Sequence, residues 1–108
     1  MPEATPRSDP SWFGFPITLR ETGLRDDLVK YLNRHRIGTR LLFGGNLIRQ
    51  PYMLERAFRQ VGDLASSDRV MTDTFWIGVY PGISPDAVGY MIDRIRDFFD
   101  GQRSGGQR

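Results

Sequence analysis

The 108-residue chain has no cysteine and a single histidine. The first absence excludes disulfides and any thiolate-held zinc or iron–sulfur cluster within these residues, and one imidazole does not by itself build a transition-metal site. Lysine is nearly missing as well: Lys30 stands against an otherwise all-arginine basic side, with Lys and Arg totalling 15 and Asp and Glu 13. Arginine suits bidentate contacts to phosphate and carboxylate, although a biased codon usage gives the same excess. The arginines are interleaved with acids rather than clustered, which speaks against a nucleic-acid partner. No apolar run approaches the roughly 20 residues that cross a bilayer, and the start MPEATPRSDP has no apolar core of a secretory signal. The chain therefore reads as cytoplasmic, without a membrane partner.

What is present is enough for one small core: 39% hydrophobic residues, with seven Phe and two Trp. Residues 1–9 read as a disordered leader and residues 101–108, GQRSGGQR, as a disordered tail, leaving 10–100 as the folded unit. Trp12 to Leu19 alternates as a strand with Phe13, Phe15, Ile17 and Leu19 on one face. Pro16 favours an edge position or a strand end. Leu24, Leu28, Tyr31, Leu32 and His35 recur at helical spacing and predict a helix over 24–36, stopped near Gly38.

A short strand follows at Thr39 to Phe43, and Gly44-Gly45-Asn46 frees the backbone to turn. Pro51 to Gln60 reads as a second helix with Leu54, Ala57 and Phe58 on its apolar side, followed by a short helical piece within 63–71. Thr74 to Tyr80 alternates again as a strand. Ser84, Pro85 and Asp86 open a last helix whose stripe is Val88, Met91, Ile92, Ile95 and Phe99, with Gly101 as its stop. The expected fold is α+β: a sheet of about three strands with helices packed on one face.

Chemistry is sparse. His35 sits near a helix C-terminus and reads as a capping or packing residue rather than a base. Lys30 is a mid-helix surface lysine with nothing beside it to favour the free amine that a Schiff base needs. No spacing singles out a carboxylate pair, and neither nucleotide fingerprint, G-x-G-x-x-G nor G-x-x-x-x-G-K-[ST], occurs. The segment Gly38 to Pro51, GTRLLFGGNLIRQP, stands apart because Arg40 and Arg49 flank a Gly-Gly-Asn turn. It reads either as a plain turn or as a loop facing an anion, with Arg40, Asn46 and Arg49 as directed donors. Trp12 and Trp76 are expected to face a partner domain or subunit, since a small sheet covered on one side leaves an aromatic face open.

PSWFGFPI (Pro10 to Ile17), RLLFGGNLIRQP (Arg40 to Pro51) and DTFWIGVYPGIS (Asp73 to Ser84), in that order, resemble the C-terminal small domain of sugar-nucleotide hexose 3-dehydratases. These belong to the DegT/DnrJ/EryC1/StrS group of fold-type I, vitamin-B6-dependent enzymes, and the likeness is greatest to those of lipopolysaccharide O-antigen biosynthesis acting on CDP-4-keto-6-deoxyglucose. The resemblance implies a two-domain, homodimeric enzyme using pyridoxamine or pyridoxal 5'-phosphate. Its catalytic base and, in CDP-sugar enzymes, a [2Fe-2S] cluster lie in an N-terminal large domain absent from these residues, and a reductase partner supplies electrons.

On this resemblance the chain is an inactive fragment that binds no cofactor and holds no catalytic residue or metal. It contributes a substrate-side loop to a sugar-nucleotide site through Arg40, Phe43, Gly44, Gly45, Asn46 and Arg49. The sugar aminotransferases of the group read approximately G-T-R-x-H-Y-x-P-L-H-x-Q-P here. Gly38, Thr39, Arg40, Gln50 and Pro51 match, whereas Leu42 and Phe43 replace the His-Tyr pair, and Gly44 to Ile48 replaces Pro-Leu-His with one extra residue. Two alternatives are weighed beside the dehydratase: an aminotransferase of the same group, and a non-catalytic α+β binding or dimerisation module.

Overall fold

The structure, a computed structural model, describes residues 3–105, so Met1, Pro2 and residues 106–108 of the expected leader and tail lie outside it. Its elements run β1 (Gly14–Thr18), α1 (Arg25–Arg34), β2 (Thr39–Leu41), two single 3-10 turns at Leu47–Arg49 and Pro51–Met53, α2 (Ala65–Asp73), β3 (Thr74–Gly78) and α3 (Pro85–Gly105). The three strands form one antiparallel sheet in the order β1-β3-β2, so the last strand in sequence is the central one. This is the small α+β arrangement that the periodicities predict. The order itself was not readable from them.

Cross-strand partners share a face, and the register assigns the two faces of this sheet. Phe15 pairs with Ile77, Ile17 with Phe75 and Leu41 with Phe75, which puts the apolar set on one side. Against that side pack α1, through Leu28 and Leu32, and α3, through Phe98; these residues with Leu19, Ile37 and Phe75 form the buried core. Phe75, Leu28 and Leu32 are almost wholly shielded. A buried Phe or Leu side chain contributes about 1.5–3 kcal/mol by leaving water, so this trio anchors the helices to the sheet.

The opposite side carries Pro16, Thr18, Thr74, Trp76 and Arg40, with Thr18 Oγ1 and Thr74 Oγ1 2.9 Å apart. Pro16 does lie in an edge strand. Leu19 N–H donates to Asp73 O just beyond the ladder, so the odd positions of β1 are the hydrogen-bonded ones, and the missing N–H of Pro16 faces away from β3.

Several local expectations are corrected. Pro51 to Gln60 is not an α-helix: only Pro51–Met53 coils, as a 3-10 turn, and the rest is irregular. Its intended stripe, Leu54 and Phe58, is exposed. A short amphipathic helix is marginal without a surface on which to lay its apolar side, and none is offered among the described residues. Phe13 does not share the face of Phe15; it precedes β1 and its ring packs on Trp76, on the opposite side of the sheet. The stop at Gly101 is not used either, and α3 continues to Gly105. Gly101 does not take the positive φ of a helix-ending glycine, and Ser104 Oγ donates to Asp100 O across that turn. The start of α3 is as read, with Ala87 N donating to Ser84 Oγ at 3.2 Å.

The Cα radius of gyration is 16.8 Å. A compact chain of this length has about 13 Å, so these residues are spread out and leave much apolar surface in water.

Candidate functional site

Leaving β2, the chain makes two left-handed steps, at Phe43 (φ 50°) and Gly45 (φ 62°), and these divide the Gly38 to Pro51 segment into two parts with different surroundings. The second step needs glycine twice over. Its φ is one that side chains avoid, and a Cβ at Gly45 would lie 2.5 Å from the Cα of Met71 in α2. That close approach brings Asn46 under α2, where it is buried.

Asn46 then serves both sides of the loop. Its Oδ1 accepts from Ile48 N–H at 3.3 Å, capping the Leu47–Arg49 turn, while its Nδ2 donates to Asp68 Oδ1 at 2.9 Å. Arg49 reaches the same carboxylate two-handed, with Nε on Oδ1 at 2.5 Å and Nη2 on Oδ2 at 2.7 Å. Gln50 Nε2 closes the loop on itself by donating to Gly44 O at 2.7 Å. The Arg49 guanidinium first, and the Asn46 amide second, hold the Asp68 carboxyl down to about 2, and Asp68 in turn raises Arg49 above its ordinary value. Among the sequence-derived candidates, Gly44, Gly45, Asn46 and Arg49 are thus brought together as a fastening. Asn46 donates to Asp68 from beneath α2, and Arg49, itself half-exposed, sets Nε and Nη2 on the same carboxylate.

Arg40 and Phe43 form a second group. Arg40 is the register partner of Trp76 and is exposed, and it takes part in none of the ion pairs among the described residues. The Phe43 ring meets Trp76 edge-on, centroids 5.5 Å apart, and Phe13 tilts over the same indole at 5.0 Å. Phe13, Gly14, Arg40, Phe43 and Trp76 line a cavity of about 430 Å³ on the side of the sheet away from α1 and α3.

The outermost aromatics on this side are Phe13 and Phe43, 81% and 80% exposed. Trp76, expected to face outward itself, is half-covered by them, and its indole N–H is shielded with no acceptor among the described residues. Trp12 is exposed.

His35 packs on Tyr31, with its Nδ1 2.9 Å from Tyr31 O, in keeping with the capping or packing role read from the sequence, and Lys30 is exposed on α1. Among the described residues no group of three or more His, Cys, Asp or Glu side chains converges to hold a metal ion.

Sequence reasoning missed Asp68 and the covering of Trp76. Asp68 lies 22 residues from Asn46, in SSDRV, where it has the look of an ordinary first-turn acid of α2. Phe13 was assigned by alternation to a strand that begins one residue later.

A profile of the DegT/DnrJ/EryC1/StrS aminotransferase family matches residues 1–96. The chain belongs to this family. It is 55% identical over 101 residues to the lipopolysaccharide biosynthesis protein RfbH of Salmonella typhimurium, covering 92% of this chain and 23% of that protein. It is 48% identical over 100 residues to the dTDP-4-dehydro-2,6-dideoxy-D-glucose 3-dehydratase of Saccharopolyspora spinosa, covering 91% of this chain and 22% of that enzyme. The chain therefore spans under a quarter of the length of these relatives. The family and the α+β fold agree with the resemblance read from the three motifs.

Proposed function

We propose that residues 10–100 are the small domain of a sugar-nucleotide 3-dehydratase of deoxysugar or lipopolysaccharide O-antigen biosynthesis, and that they supply one wall of its substrate site. The observation that carries this reading is the near-50% identity to a protein named as a 3-dehydratase, over 91% of this chain, together with the higher identity to RfbH. Leu42 and Phe43, in place of the His-Tyr pair of the sugar aminotransferases, favour dehydration over amino transfer within the family.

In this reading Arg40 is the cation that meets the nucleotide phosphates or sugar hydroxyls, and Phe43 is the apolar surface beside it. Gly44, Gly45, Asn46 and Arg49 keep the loop in place behind them. In the same reading neither Lys30, exposed on α1, nor His35, whose Nδ1 lies 2.9 Å from Tyr31 O, is the group that carries the cofactor or acts as its base. Pyridoxamine or pyridoxal 5'-phosphate, any [2Fe-2S] cluster and the catalytic base accordingly belong to a large domain outside this segment. The exposed Phe13 and Phe43 and the open side of the sheet suit packing against that domain, in a cytoplasmic homodimer served by a reductase.

The test uses the full-length protein that carries this segment, with pyridoxamine 5'-phosphate and a reductase, on CDP- and dTDP-linked 4-keto-6-deoxyhexoses. Loss of the C3 hydroxyl from the sugar supports the reading. A product carrying an amino group at C4 instead selects the aminotransferase, and no reaction with either substrate leaves the non-catalytic module.

A further inference from the structure

The substrate-side loop has an anchor outside itself. Gly44 to Gln50 contains little regular structure beyond one 3-10 turn, and a glycine-bearing stretch of this kind has many conformations open to it. Its polar tie to α2 centres on one carboxylate, Asp68, which takes two donors from Arg49 and one from Asn46. Both carboxylate oxygens are used, and the two-point contact of guanidinium on carboxylate fixes orientation as well as distance.

Around this contact the packing leaves little slack, because Gly45 abuts the Met71 backbone and Asn46 is buried beneath α2. The helix is itself held to the sheet: it runs directly into β3, and Arg69 Nη2 donates to Leu19 O at 3.2 Å. A rigid path thus leads from the central strand through α2 and Asp68 to the loop, and back along the loop to Phe43 and Arg40 on β2.

We propose that Asp68 is a positioning residue for sugar-nucleotide recognition. It holds the Gly44 to Gln50 loop so that Phe43 and Arg40 keep a fixed place beside Trp76, and it engages two donors of Arg49, whereas Arg40 has no carboxylate partner among the described residues. The proposal rests on the dehydratase reading for the identity of the ligand, but the tether itself does not.

The experiment compares the full-length protein with its Asp68→Asn and Asp68→Glu variants by amide hydrogen exchange over residues 44–50 and by steady-state kinetics with the sugar nucleotide. Asp68→Asn is expected to speed exchange of these amides and to raise KM by about tenfold or more, the factor that accompanies loss of a charge-assisted hydrogen bond, with a smaller change in kcat. Asp68→Glu, which keeps the charge, is expected to recover part of both. Where Asp68→Asn does not fold, Arg49→Gln makes the same cut from the other side. Wild-type loop protection in Asp68→Asn overturns the tether, and a loosened loop with an unchanged KM overturns the positioning role. A wild-type protein that neither binds nor turns over any sugar nucleotide overturns the functional reading and this use of it, while the exchange data still decide the tether.

Discussion

Trp76 lies across Gly14 on the neighbouring strand, so closely that a Cβ on Gly14 would stand 2.7 Å from the indole Cε3. The contact explains why a glycine heads an edge strand otherwise built of bulky residues: it admits the ring, which Phe13 and Phe43 then cover from outside.

Gly14→Ala is therefore expected to push the indole outward. The ring has to shift against Phe13 and Phe43, so overpacking of about 1–3 kcal/mol follows. Denaturant unfolding in a Trp12→Phe background measures it, with the emission of Trp76 shifting to longer wavelength as the ring gains water. An unchanged midpoint together with unchanged emission would show that the indole does not rest on Gly14.

Gly45 makes a harder demand, because its close neighbour is backbone and not a ring that can turn. Gly45→Ala meets Met71 Cα at 2.5 Å and Cβ at 2.4 Å and also forces an alanine to φ 62°. Left-handed strain and overpacking add, so the loss is expected to exceed that of Gly14→Ala. Met71→Ala is not expected to rescue it, since the atoms in the way are kept in alanine. Rescue by that second change would place the clash further out along the side chain.

Residues with a periodic neighbourhood were legible in the sequence. Leu28 and Leu32 announced α1, and Phe75 with Ile77 announced β3, because burial on one face of an element leaves its spacing in the chain. Arg40 and Phe43 were legible as site candidates through the motif that surrounds them. Asp68 was not, since a contact across 22 residues leaves no periodic trace, and an acid in the first turn of a helix has a sufficient local reason to be there. The expected helix at 51–60 failed for a related reason. Its stripe was correct in spacing, but nothing among the described residues covers Leu54 or Phe58, and packing rather than propensity decides short helices.

The Asp68 contact has a pH signature whose sign is fixed by the direction of its shift. Its carboxyl is held at about 2, below the ordinary 3.8, so the folded state favours the charged form. The contribution is complete above about pH 4 and is lost as pH falls through about 2. The loop is thus expected to stay fastened at pH 7 and at pH 5, and to loosen only in strong acid. Following the Asp68 carboxyl carbon by NMR checks this. A midpoint near 4 would mean that Arg49 and Asn46 do not hold the carboxylate in solution.

Arg40 and Arg49 occupy one short segment, yet their variants are expected to behave differently. Arg49→Ala frees Asp68 and unfastens the loop, so it should speed amide exchange at 44–50 as well as weaken substrate use. Arg40→Ala breaks no ion pair among the described residues and should leave that exchange and the melting temperature close to wild type. In the full-length protein it should still lower kcat/KM for the sugar nucleotide by about 10- to 100-fold, the equivalent of about 1.5–3 kcal/mol for one charge-assisted contact. Arg40→Lys should recover only part of this, because an ammonium does not reproduce the planar two-point grip on a phosphate. Wild-type kinetics in Arg40→Ala would remove Arg40 from the substrate wall and leave Phe43 as the one loop side chain on that face.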